Sequence, residues 1–242
     1  MNVAGTSLLL DAARKAGVRR AVIASSAAVY GEPPSGMVSD ALPLVEETPL
    51  QPRSPYALSK RVNEMYAELF TGSLGLEAVA LRYFNVYGPR QRPDSMYAAA
   101  VPIFVRCLLE HQPVTVFGDG EQTRDLINIR DVVHANLIAA EHPNAPGGIF
   151  NVCTGIETRL LGLIEVLYDR FPGAPKPKFA EPRPGDIHRS VGSAQRAANV
   201  IGFRAQVSLA DGLRETVEWM RTQRFPNSPD LRQPSVRQPS NP

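Results

Sequence analysis

Cysteine is scarce in this chain: only Cys107 and Cys153 occur in 242 residues, far apart and without CxxC spacing. That leaves no disulfide framework and fits a reducing compartment, so a cytoplasmic protein is expected. Histidine is scarce as well. The four histidines show no HExxH or paired spacing, and no metal site is expected. No apolar run approaches the roughly 20 residues that a membrane-spanning helix needs. No basic segment follows Met1, so no leader peptide is expected either. Neither sign of charge is in excess: 26 basic against 24 acidic residues give +2, which offers no electrostatic footprint for nucleic acid or a membrane surface. Nothing in the body of the chain repeats.

What the chain has is apolar residues, 43% of the total, enough for a sizeable core. Positions 3–16 read as a helix with Val3, Leu8, Leu9 and Ala12 as its apolar side and Gly17 as its stop. "RRAVIASS" (19–26) is a short, continuously apolar strand of the kind buried on both faces of a parallel sheet. After an aperiodic loop over 32–55, a helix starts at Pro55 with Val62, Met65, Tyr66, Leu69 and Phe70 as its stripe. "EAVALRYFNVYG" (77–88) reads as one further buried strand. The α-β-α-β rhythm is that of a doubly wound sheet.

Beyond Gly88 the reading continues with helices near 101–110, 131–141, 159–171, 193–201 and 208–222, and a strand at 148–152. The last helix is opened by Ser208 with Asp211 three residues on. Asp119-Gly120 signals a turn between two strand-like runs. From 224 the chain repeats RQPS, is rich in proline, and is expected to be disordered.

The most informative stretch is "SPYALSKRVNE". Tyr56 and Lys60 stand i, i+4 at a helix start and so project from one face. A tyrosine hydroxyl is a poor base alone, and a nearby ammonium favours its phenolate. With seven Tyr and four Lys in the chain, a chance YxxxK is expected about 0.1 times. Some thirty residues upstream, Ser25 and Ser26 close a buried strand, and strand C-termini are where doubly wound sheets place their sites. Two serines there, seen alone, read as turn formers.

A strand-end Ser followed by YxxxK on a helix resembles the extended short-chain dehydrogenase/reductase superfamily, and within it the NAD-dependent nucleotide-sugar 4-epimerases. The similarity spans nearly all of 2–222. It implies a Rossmann-type parallel sheet with a smaller α+β substrate part: 1–90 and 124–142 for NAD, 91–123 and 143–223 for the nucleotide sugar. It implies that the match to Tyr56 abstracts the proton of the sugar 4-hydroxyl while hydride leaves C4 for NAD. Lys60 then holds the nicotinamide ribose, and Ser26 hydrogen-bonds the reacting hydroxyl. Further matches imply Tyr83 beside the nicotinamide, Asn85 and Arg124 on the diphosphate, and Phe117 against the base. In "EPRPGDIHRS" they imply Arg183 on phosphate and Asp186 on ribose. Arginine suits the task because its planar fork bonds phosphate through two donors.

Related 4,6-dehydratases and decarboxylases carry an acidic residue at the position of Ala28, and the dehydratases often one at Ala27. Alanine supplies neither the acid nor the base that elimination needs, so epimerase is favoured. Ser190, small where plain-hexose epimerases tend to carry Tyr, favours an N-acetylhexosamine, though steric discrimination of this kind is partial. UDP-sugar and a homodimer, often built on the helices matching 3–16 and 55–70, are the implied partners.

One motif of that family is missing. None of the 18 glycines forms GxxGxxG after a strand, the loop that approaches the cofactor pyrophosphate. The resemblance aligns 2–17 with the helix just before the catalytic Ser strand, so four strands, roughly 80–100 residues, are expected ahead of it. Two alternatives follow: a truncated, inactive remnant binding a nucleotide sugar weakly through Phe117, Arg124 and Arg183, or a keto-sugar-nucleotide reductase.

Overall fold

The computed structural model describes residues 2–31, 43–93, 99–183 and 187–223. Its helices are α1 (Asn2–Lys15), α2 (Pro55–Leu69), α3 (Ala100–Leu109), α4 (Ile129–Glu141), α5 (Leu160–Tyr168), α6 (Gln195–Ile201) and α7 (Leu209–Arg221). Its strands are β1 (Arg20–Ser26), β2 (Glu77–Tyr83), β3 (Asn85–Tyr87), β4 (Thr115–Phe117), β5 (Thr123–Arg124), β6 (Leu126–Asn128), β7 (Ile149–Val152), β8 (Thr158–Arg159) and β9 (Lys178–Ala180). The expected tail from 224 and the site candidate Asp186 lie outside the described residues. None of the described helices is long and apolar enough to cross a membrane.

The central sheet runs β1-β2-β7, all parallel. Such a sheet must be covered on both faces, and the burial of β2 shows how. Ala78 and Ala80 turn toward α1 and α2, joining Leu10, Ile23, Ala67 and Phe70. Val79 and Leu81 turn the other way, toward Ile127, Val132, Ala135 and Phe150. That is the two-residue period of a strand, and burying Val79 or Leu81 contributes roughly 1.5–3 kcal/mol each. Small Ala78 and Ala80 let α2 lie close. The register sets Ser26 beside Tyr83 and Tyr83 beside Val152, so the C-terminal ends of all three strands are level. Among the described residues, no strand pairs with the second edge of β1.

Three expectations need correction. The apolar side read for α1 is not its buried side, and of the stripe read for α2 only Phe70 is buried, with Tyr66 packed against the same core. Leu8 and Leu9 are 72% and 68% exposed and Met65 and Leu69 53% and 49%, while α1 buries Leu10 and α2 buries Ala57, Asn63, Glu64 and Ala67. The inner face of α2 tolerates Glu64 because an arginine from β2 neutralises it. The strand read over 77–88 breaks at Phe84, whose N–H bonds the Val152 carbonyl; β3 then pairs with β6. Finally, the runs flanking Asp119-Gly120 do not pair with each other: β4 pairs with β9 and β5 with β8.

A second core joins α3, α5 and α7 around Val105, Val116, Leu167, Leu213 and Met220. The expected cap is present: Ser208 Oγ accepts from Asp211 N at 3.1 Å and donates to its carboxylate at 2.7 Å. Gly120 has φ +80, and a Cβ there would lie 2.7 Å from Leu161 Cγ, so the turn needs glycine.

Candidate active site

Ser26 ends β1 and caps the short 3₁₀ turn Ala27–Tyr30, its Oγ accepting from Ala28 N at 3.2 Å. Facing it, α2 opens with Pro55 in its first turn and Ser54 as cap, the Ser54 Oγ accepting from Ala57 N at 3.1 Å. This start places Tyr56, 51% exposed, and Lys60 one turn apart. The Lys60 ammonium lies 5.6 Å from the Tyr56 ring centroid and donates to the Ala24 carbonyl of β1 at 2.7 Å. Burial pushes the Lys60 ammonium below its ordinary value. One side chain thus joins the phenol-bearing helix to the serine-bearing strand. A phenol beside an ammonium that is tied to the strand ending in Ser26 suits removal of a proton from a substrate hydroxyl.

Tyr83 is the register partner of Ser26. Its hydroxyl donates to Asn136 Oδ1 at 2.9 Å, and burial pushes its phenol up, partly opposed by that bond. Its ring packs with the α4-side core.

The remaining candidates form a second constellation. Phe117, Gln122, Pro182, Arg183, Ile187 and His188 line a cleft of about 210 Å³. The Arg183 guanidinium lies 3.8 Å from the Phe117 ring centroid. Arg124 Nη1 donates to the Ile187 carbonyl at 2.6 Å and to the Thr123 carbonyl at 2.7 Å, tying itself to the segment after Arg183. That segment is clamped again by Arg189, which donates to both oxygens of Glu157 at 2.7 Å. The Arg189 bonds, with that from Thr123, outweigh desolvation and hold the Glu157 carboxyl at about 2. Ser190 is buried.

Asp125, the residue after Arg124, ties β3 to the segments at 154–155 and 192, and sequence reading passed over it. Its buried carboxylate accepts from Thr154 N at 2.8 Å, Thr154 Oγ1 at 2.7 Å, Gly155 N at 2.9 Å and Gly192 N at 3.3 Å. Burial pushes this carboxyl up, against the pull of those bonds. Its own carbonyl accepts from Asn85 N at 3.0 Å and Asn85 Nδ2 at 3.2 Å. Asn85 therefore stands where β3 meets the residue that follows Arg124 of β5. A further cavity of about 270 Å³, between the end of α5 and α7, contains none of the predicted site residues.

A ribose could lie against Tyr56 and Lys60, since the phenol is accessible and the ammonium beside it is a donor. No stretch of the 242 residues offers GxxGxxG for a dinucleotide pyrophosphate. The residues present therefore fit the nicotinamide-ribose end of NAD.

Residues 1–153 match the family described as "NAD dependent epimerase/dehydratase family". The chain is 40% identical over 222 residues to a UDP-glucose 4-epimerase of Mycolicibacterium smegmatis, covering 91% of this chain and 68% of that protein. It is 34% identical over 225 residues to a dTDP-glucose 4,6-dehydratase of an Actinoplanes species, covering 92% and 67%. The solved UDP-N-acetylglucosamine 4-epimerase from Methanobrevibacter ruminantium, in complex with UDP-N-acetylmuramic acid, superposes with a TM-score of 0.85 at 36% identity, covering 92% of this chain and 69% of that one.

Proposed function

The chain belongs to the NAD dependent epimerase/dehydratase family, and from that premise we propose that it inverts C4 of a UDP-sugar, with UDP-N-acetylglucosamine and UDP-N-acetylgalactosamine favoured over UDP-glucose and UDP-galactose. The observation that carries this reading is Lys60, bonded to the Ala24 carbonyl of the Ser26 strand and 5.6 Å from the Tyr56 ring.

Tyr56 takes the proton of the sugar 4-hydroxyl, and Ser26 Oγ hydrogen-bonds the same oxygen as its charge develops. Lys60 supplies the positive charge beside the phenol and would hold the nicotinamide ribose. NAD, held with its nicotinamide ribose against Tyr56 and Lys60, would supply the hydride acceptor and donor for C4. The base stacks on Phe117, and Arg183 and Arg124 take the diphosphate with Asn85 nearby. Ser190 leaves room beside the sugar. Ala27 and Ala28 offer no acid or base for elimination, which favours epimerisation over the 4,6-dehydration of the Actinoplanes relative. The sheet with α1, α2 and α4 forms the cofactor part, and the α3-α5-α7 core carries the nucleotide-sugar part. A homodimer through α1 and α2 would cover the exposed Leu8, Leu9, Met65 and Leu69.

A second reading, nucleotide-sugar binding without turnover, is favoured by one observation, the lack of GxxGxxG among these residues. Proton NMR of UDP-N-acetylglucosamine with millimolar NAD separates the two. Inversion at C4 supports the first reading; saturable binding with no inversion supports the second.

A further inference from the structure

We propose that the buried Glu64–Arg82 pair is a positioning element for the catalytic constellation, holding the helix of Tyr56 and Lys60 in one register against the strand of Ser26. Its catalytic meaning rests on the epimerase reading; its geometry does not.

Glu64 lies one turn past Lys60 and two past Tyr56 on α2, and it is 0% exposed. Oε1 accepts from Ser25 Oγ at 2.6 Å and Arg82 Nε at 2.7 Å, and Oε2 accepts from Arg82 Nη2 at 3.0 Å and Arg61 Nη1 at 3.2 Å. Ser25 is the residue before Ser26, and Arg82 the residue before Tyr83, which pairs with Ser26 in register. Arg82 Nη1 goes on to donate to the Tyr30 hydroxyl at 2.8 Å and the Glu46 carbonyl at 3.2 Å. Tyr30, in the turn that Ser26 caps, donates to Asn151 Oδ1 of β7 at 2.7 Å, and Asn151 N donates to Glu46 Oε1 at 2.7 Å. One connected set of bonds therefore runs from α2 through β1 and β2 to β7. It also includes the segment that leads into α2.

Stability does not account for this arrangement. A buried ion pair repays its desolvation at best, and apolar residues of similar volume are often as stable. What directional bonds add is uniqueness. An apolar contact between α2 and β1 would tolerate sliding, whereas a bidentate fork together with the Ser25 bond fits one placement. A misplacement of about 1 Å between Tyr56 and its substrate can cost on the order of a hundredfold in rate.

The test compares wild type with Glu64→Leu/Arg82→Met, and with Ser25→Ala, which removes only the β1 anchor. Backbone hydrogen exchange is measured on the 242-residue chain, with kcat and KM for UDP-N-acetylglucosamine at saturating NAD. The double variant should keep its urea midpoint. Amides of 27–30 and 57–61 should exchange at least about tenfold faster, with α5 and α7 unchanged, because only local register is lost. kcat should fall at least about tenfold with KM within about twofold, since the nucleotide is held by the other constellation. Unchanged exchange at both segments in either folded variant overturns the positioning role, whatever happens to turnover. Absence of turnover in wild type overturns the epimerase reading alone, and the exchange comparison still decides this one.

Discussion

Replacing Asp125 by alanine should cost about 2–5 kcal/mol of folding stability. The carboxylate is 0% exposed and accepts three backbone N–H bonds and the Thr154 hydroxyl. Gly155 lies at the surface, so its N–H can turn to water, and the hydroxyl of Thr154 can rotate to another acceptor. The N–H of Gly192 is buried and that of Thr154 part-buried, so these two are the donors left short of a partner. Each donor left without a partner costs about 1–3 kcal/mol, about 2–6 kcal/mol for the two, and the lower part of that gives the range above. The energy recovered by no longer burying a charge keeps the figure from rising further. Equilibrium urea unfolding by far-UV circular dichroism measures it. With a slope near 2 kcal/mol per M, the midpoint should fall by about 1–2.5 M. A shift below about 0.3 M at unchanged slope would refute the view of Asp125 as the clamp on the segments at 154–155 and 192.

The remaining expectations are narrower. Gly120→Val should destabilise by about 2–4 kcal/mol in a thermal scan, because φ is +80 and Leu161 Cγ would lie 2.7 Å from the new Cβ; an unchanged midpoint would show that the turn relaxes freely. Glu157 has its carboxyl held at about 2, so the stability from its Arg189 and Thr123 bonds is present above the ordinary value of 4.5 and lost as pH falls toward 2. Glu157→Gln should therefore lose less stability than wild type between pH 5 and 2, and parallel acid curves would contradict the clamp. Arg183→Ala should weaken UDP binding about tenfold, roughly 1.4 kcal/mol, by calorimetry and flatten its salt dependence; equal affinity would exclude Arg183 from the diphosphate site.

Much of the fold was legible because its signals are local. β1 and β2 are continuous apolar runs, Pro55 opens one helix and Ser208 caps another, and Tyr56 with Lys60 needs only helical spacing to share a face. What was misread depends on partners distant in sequence. The inner face of α2 carries Glu64, which no amphipathic pattern marks as buried until Arg82 is brought against it from β2. The stripe of Met65 and Leu69 looked like core and instead faces outward. The break at Phe84 is set by the pairing of Asn85–Tyr87 with β6, some forty residues on, and the runs around Asp119-Gly120 are claimed by β9 and β8. In the site, Asp125 was one acid among 24, because its function lies in backbone N–H groups that carry no sequence signature.

The central claim is that Tyr56, with Lys60 and Ser26, removes the proton of a sugar 4-hydroxyl. Its most direct test follows UDP-N-acetylglucosamine and NAD by proton NMR with wild type and with Tyr56→Phe, after calorimetry has shown that both bind UDP equally. The account predicts that UDP-N-acetylgalactosamine accumulates with wild type and that its rate falls at least about a hundredfold with the variant, the size of a lost general base. Equal rates for the two proteins, or no inversion by wild type at saturating NAD and sugar, would contradict it.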